Sequence, residues 1–174
     1  LPGNIVKEIV ENDRIIGGVD ERSTKSAVDL YGSVVTGNLR ESDAATAEMV
    51  KLAENTYRDV NIALANSLAN ISVTAGVNIW NVVEMANLHP RVNIHQPGPG
   101  VGGHCIPVDP WFLVNADEQS SKLIRLAREV NDGQPGIMAN LAIEALAGIQ
   151  RANAALLGAS YKPDVKDARG SPTT

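Results

Sequence analysis

The stretch SDAATAEMVKLAENTYRDVNIALANSLANISVTA, residues 42–75, contains neither glycine nor proline. An uninterrupted run of alanine, leucine, asparagine and valine predicts one unusually long helix, because no residue in it forfeits a helical hydrogen bond or adds backbone freedom. Gly76 closes the run, as expected of a residue that accepts the left-handed conformation at a helix end. Met49, Leu52, Ala53, Val60, Ala63, Leu64, Leu68 and Ile71 recur near the helical period. One side of the helix is therefore expected to be buried against other helices or a second subunit. Lys51, Asn55 and Arg58 stand at i, i+4 and i+7 and share a face. Two cations around an amide suit an anionic ligand, and a solvated polar face carries the same pattern.

Outward from this helix the chain reads as mainly α with small α/β pieces at both ends. Ile5, Val6, Ile9 and Val10 predict a short helix over 4–12 capped by Asn4, and Arg14 to Val19 a short strand. Gly32 to Gly37 reads as a second extended segment after a helix around Ser23 to Tyr31. Asn78 caps a helix from Ile79 to Leu88 that Pro90 stops. Trp111 to Asn115 is expected to make a turn or two of helix, with Asp109 at its start. Ser120 to Asn131 and Gly136 to Gln150 are expected to form two amphipathic helices. Ala152 to Gly158 reads as a buried strand entering a glycine turn.

Between these elements lies QPGPGVGGHCIPVDPW, residues 96–111, with the chain's single cysteine in its densest run of glycine and proline. Such a run cannot continue a helix, and it presents Cys105 on a rigid loop. Glycine-freed backbone N–H groups and Asp109, four residues on, accompany the thiol, a set suited to nucleophilic attack on carbonyl carbon with stabilisation of the resulting oxyanion. The competing readings are a buried packing cysteine, a metal site drawn from His89, His95, His104 and Cys105, and a thiol hydrolase pairing Cys105 with a histidine.

Composition narrows the function classes. With 174 residues, 44% hydrophobic and 20% charged, the chain is globular rather than disordered. A formal net charge of −5 argues against general nucleic-acid binding, which needs a basic surface. No apolar run is long enough for a membrane span and no signal pattern is seen. One cysteine excludes an internal disulfide framework, so a cytoplasmic location without structural metal is expected. Leu1-Pro2-Gly3 opens in a turn without an initiator methionine and the chain stops at Thr174, which predicts a piece of a longer protein.

Pro2-Gly3-Asn4, Lys51-Leu52-Ala53-Glu54-Asn55, Arg58-Asp59-Val60, Gly102-Gly103-His104-Cys105 with Asp109, and Tyr161-Lys162-Pro163-Asp164 with Asp167 and Arg169 occur in one order. In that order they resemble the UDP-glucose/GDP-mannose dehydrogenase family, the NAD-dependent nucleotide-sugar 6-dehydrogenases. His89-Pro90-Arg91-Val92-Asn93 running into Gln96-Pro97-Gly98-Pro99-Gly100 looks most like the branch acting on UDP-N-acetyl-D-mannosamine. The resemblance implies a twofold oxidation at C6 of the sugar through a thioester on Cys105, with NAD as cofactor. It implies catalytic roles for Lys51, Asn55 and Asp109, substrate contacts from Arg58, Arg91, Asn93, Gly102 and Lys162, and cofactor contacts from Gly103 and Arg169. It further implies a homodimer through the long helix. The implied fold is the helical middle domain of this family over 21–150, preceded over 1–20 by the tail of an NAD-binding domain and followed over 151–174 by the start of a nucleotide-sugar-binding domain, the flanking pieces being remnants of Rossmann-like domains. Alone, the piece is expected to be inactive. Alternatives are a non-catalytic dimerisation core and a 6-dehydrogenase for another UDP- or GDP-sugar. Val108 stands where the family commonly has lysine, and Gly170 where it commonly has glutamate.

Overall fold

The computed structural model describes residues 4–151, 153–164 and 166–173. In chain order it contains α1 (Ile5–Glu11), β1 (Arg14–Gly18), α2 (Glu21–Gly32), β2 (Leu39–Asp43), α3 (Ala44–Ala75), α4 (Ile79–Ala86), α5 (Asp109–Ala116) and α6 (Lys122–Ala145). The mainly helical expectation is met, with the 32-residue α3 as its longest element. The chain divides into two compact units, residues 1–53 and 54–174, and α3 runs from the first into the second.

The first unit is built on a strand, a helix and a parallel strand. Arg14 to Gly18 pairs with Leu39 to Asp43, Arg14 opposite Leu39 and Gly18 opposite Asp43. Gly17 is required by the close approach of the second strand, since a Cβ there would lie 2.2 Å from the Asp43 carbonyl oxygen. The Asp20 carboxylate accepts from Ser23 N at 2.6 Å and opens α2. The Arg14 guanidinium donates to the carbonyls of Ile9 and Glu8 at the end of α1.

Two expectations fail in this unit. The second strand is the charged Leu39–Asp43, whereas residues 33–38 turn out of α2; β1 supplies the backbone pairing that the polar side chains of Leu39–Asp43 do not advertise. Asn4 stands at the N-cap of α1 without a side-chain cap bond, and no residue of α1 is buried, with Ile5, Val6 and Ile9 exposed. Among the described residues nothing covers that apolar face.

In the second unit α3 ends at Gly76, which has φ +68°, and the Asn78 side chain accepts from Trp80 N at 2.9 Å to start α4, both as the sequence predicts. Two other readings need correction. The two helices expected around Pro135 are one, because α6 continues from Lys122 to Ala145 with the proline inside it. The buried side chains Ala127, Arg128, Asn131 and Gln134 all precede the proline and pack the helix up to it, while residues 136–145 carry the helix on at the surface with one hydrogen bond missing. Ala154 to Gly158 is not a strand: no neighbour pairs with it among the described residues, and Leu157 is 93% exposed. Ala152, the first residue of that reading, lies outside the described residues, as do Pro2 and Gly3 of the Pro2-Gly3-Asn4 motif.

What α3 buries is also unexpected. Leu64 and Ile71 of the apolar stripe are exposed, and its Ala63 is buried as expected, but the residues buried with it along one helical face are the polar Asn55, Asp59 and Asn66. The Arg128 guanidinium of α6, 1% exposed, donates to the fully buried Asp59 carboxylate at 2.5 Å and also pairs with Asp132. Asn131 Nδ2 donates to both the carboxylate and the carbonyl of Asp59 at 2.9 Å. Burial pushes the Asp59 carboxyl up, against the pull of Arg128 and the bonds from Asn131 and Arg128. Arg128→Met strands that carboxyl in the core and is expected to cost about 3–5 kcal/mol, whereas Asp59→Leu with Arg128→Met removes both charges and costs less. Urea unfolding of the two variants beside the parent measures the difference.

Candidate functional site

Cys105 is exposed and free, at the end of the glycine loop. Its carbonyl oxygen accepts from Val108 N at 2.9 Å and from Asp109 N at 2.8 Å, so the chain turns immediately into α5, with Pro110 in the first turn. This turn brings the Asp109 carboxylate back to α3, where it accepts from Asn55 Nδ2 at 2.5 Å. Asn55 is 5% exposed and Asp109 half-buried. Two of the sequence-predicted site residues are thus bonded to each other, and one of them is bonded through its backbone to the cysteine.

The other side of the loop is covered by Tyr161, Gly170 and Pro172. Gly103 N donates to the Gly170 carbonyl at 3.0 Å. A side chain at Gly102 would place its first carbon 2.5 Å from Tyr161 Cβ and 2.9 Å from the Gly170 carbonyl oxygen, so only glycine admits this packing. His104 meets the Tyr161 ring edge-on at 6.4 Å between centroids, and its Nε2 is 3.9 Å from the Asp167 carboxylate. That carboxylate is chelated by Arg169, through Nε at 2.9 Å and Nη2 at 2.8 Å, and these bonds hold its pKa well below the ordinary carboxylate range. His104, Tyr161 and Asp167 form a cluster that the sequence reading does not single out. Their adjacency follows from the Gly102–Tyr161 contact, which spans about sixty residues of sequence.

The remaining candidates are more dispersed. Lys162 is half-buried in an open cleft of about 550 Å³ that Tyr161, Asp164 and Lys166 also line. Arg58 is exposed on α3, and Arg91 and Asn93 are exposed between α4 and the loop. Lys51 lies on the exposed surface of α3 in the first unit. His89 Nδ1 accepts from Arg91 N at 3.3 Å, and among the described residues no three His, Cys, Asp or Glu side chains are grouped to share a metal ion. No described helix is long and apolar enough to cross a membrane.

Comparison with known proteins converges on one family. Residues 45–133 match the model described as the UDP-glucose/GDP-mannose dehydrogenase family, central domain. The chain is 53% identical over 175 residues to a UDP-N-acetyl-D-mannosamine dehydrogenase of Methanococcus maripaludis, covering 99% of this chain and 41% of that protein. It is 52% identical over 172 residues to an NDP-N-acetyl-D-galactosaminuronic acid dehydrogenase of Ralstonia solanacearum, again over 99% and 41%. A solved structure of the UDP-D-ManNAc dehydrogenase from Pyrococcus horikoshii superposes with a TM-score of 0.93 at 50% identity, covering 99% of this chain and 42% of that one. The chain therefore spans about two fifths of the length of the proteins it matches.

The cover over the cysteine loop yields a test. Gly102→Ala is expected to displace residues 160–172 and cost about 1–3 kcal/mol by overpacking. Gly98→Ala, where a side chain meets nothing within 4 Å, is the matched control. Hydrogen exchange over 160–172 should quicken in the first variant and stay at the parent rate in the second.

Proposed function

The chain belongs to the UDP-glucose/GDP-mannose dehydrogenase family, and from that premise we propose that it is the cysteine-bearing part of an NAD-dependent UDP-N-acetyl-D-mannosamine 6-dehydrogenase. The observation that carries the reading is the exposed Cys105 held next to the Asn55–Asp109 pair by its own backbone. In this reading residues 1–20 end an NAD-binding domain, 21–150 form the catalytic and dimerisation domain, and 151–174 begin a nucleotide-sugar-binding domain.

The thiolate of Cys105 adds to the C6 aldehyde of the sugar, forming the S–C bond of a thiohemiacetal and leaving negative charge on oxygen. The Asn55 amide, with Lys51 one turn earlier on the same helix, is suited to stabilise that charge. Asp109 orients the Asn55 amide and draws a proton from the water that finally cleaves the thioester, releasing the thiol and the carboxylate. Covalent capture keeps the aldehyde from escaping between the two oxidations. Arg58, Arg91, Asn93, Gly102 and Lys162 serve the UDP-sugar, the cations meeting its phosphates.

For the cofactor the chain offers Arg169, whose side chain is 80% exposed although its Nε and Nη2 are held by Asp167, a cation suited to a pyrophosphate; Gly103, whose N–H is taken by the Gly170 carbonyl, adds no donor of its own. NAD, when bound, would supply the hydride acceptor, one molecule for each of the two oxidations.

Tyr57, Leu64 and Ile71 are exposed at seven-residue intervals on α3, which favours a homodimer through this helix. The dimerisation-core alternative rests on the same face and lacks only turnover.

The test uses the full-length protein, with its intact mass recorded first. NADH formation with UDP-N-acetyl-D-mannosamine is expected, and Cys105→Ala should lower it at least about a thousandfold. Faster turnover of the galactosamine epimer would move the sugar assignment. Undiminished turnover in Cys105→Ala, or none with any nucleotide sugar, would overturn the enzyme reading, and a monomer in equilibrium sedimentation would remove the dimer.

A further inference from the structure

The buried polar side chains between α3 and α6 form a directed series. Arg128 donates to Asp59 Oδ1, so Asp59 is an acceptor. The Asn131 amide must then turn its NH2 toward Asp59, and its Oδ1 faces away. That oxygen accepts from Asn66 Nδ2 at 3.0 Å, which turns Asn66 Oδ1 outward, where it accepts from Gly98 N at 2.8 Å. Each amide has its donor and acceptor ends assigned by the neighbour before it, and the assignment starts from a cation that cannot reverse. Asn66 and Asn131 are each 1% exposed.

Gly98 opens the loop that ends at Cys105, and the other end of that loop is bonded to α3 through Asp109 and Asn55. Asn55 and Asn66 are eleven residues apart on one helix, about 16 Å along its axis. Between the two ties, Gly100 lies against α6, where a side-chain carbon would be 3.3 Å from the Asn131 carbonyl oxygen and 3.3 Å from Pro135 Cδ. Pro135 has no N–H to give that carbonyl, so no helical hydrogen bond from residue 135 engages it. The loop is seated on the polar face of the two helices at its start, in its middle and after the cysteine.

We propose that Asn66 is a positioning residue for Cys105: it anchors the upstream end of the cysteine loop at Gly98, in an orientation dictated by Arg128 through Asp59 and Asn131. This rests on the dehydrogenase reading for its catalytic consequence, whereas the anchoring itself does not.

The experiment compares Asn66→Ala with Val83→Ala in the full-length protein, Val83 being a buried residue of α4 outside the series. Hydrogen exchange is read across the chain without substrate, and kcat and KM are read with NAD and UDP-N-acetyl-D-mannosamine. Asn66→Ala is expected to raise exchange at residues 98–105 at least about tenfold more than in α4, and to lower kcat about a hundredfold with KM within about threefold, the signature of a misplaced reacting group. Val83→Ala should leave kcat and loop exchange at parent values. Parent-like loop exchange in Asn66→Ala, or a kcat loss no larger than that of Val83→Ala, overturns the proposal. If the parent turns over no nucleotide sugar, the dehydrogenase reading fails, and loosening confined to 98–105 still supports the anchoring while its absence still removes it.

Discussion

A guanidinium almost wholly withdrawn from water must be met by carboxylate, and Arg128 imposes that requirement on everything around it. Asp59 answers from α3 and Asp132 from the next turn of α6. Desolvating these groups consumes most of what their attraction returns, so the pair contributes more to specificity than to stability. Sliding α3 by one turn would bury an acid without a base. The register of the helix pair is therefore fixed by chemistry, and Asn131 and Asn66 extend the same seam to the cysteine loop.

Much of this arrangement is legible in the sequence, for identifiable reasons. Absence of glycine and proline announces α3, Gly76 and Asn78 punctuate its end and the next start, and the glycine run around Cys105 announces a loop with a purpose. Ordered motifs lead to the family independently of any packing argument. The misses come where tertiary contacts override local preference. Leu39 to Asp43 is a strand because β1 pairs with it, not because its side chains favour one. Pro135 does not end α6: the buried turns before it, through Gln134, are held by packing, and the helix runs on past the proline over exposed residues with one hydrogen bond lost. The apolar stripe on α3 draws the eye, yet its Ala63 is buried beside the polar Asn55, Asp59 and Asn66, whose helical spacing is equally visible once polar residues are counted as core.

The candidate site shows the same division. Cys105, Asp109 and Asn55 are recognisable from motif and spacing, and they meet. His104, Tyr161 and Asp167 meet because Gly102 and Gly103 let a distant segment lie flat against the loop. A glycine marks permission for close approach without naming what approaches, so the partner has to be seen.

The polar character of the α3–α6 seam also bears on temperature. Exposing apolar surface raises the heat capacity on unfolding, whereas exposing polar surface lowers it. An interior in which Arg128, Asp59, Asn131, Asn66 and Gln134 take positions that leucine or valine fill in ordinary helix pairs has a smaller heat-capacity increment than its length implies. Its stability curve is correspondingly broad and shallow. The penalty for dehydrating the buried ions also eases on warming, so this seam loses less of its hold with heat than an oily one of equal area.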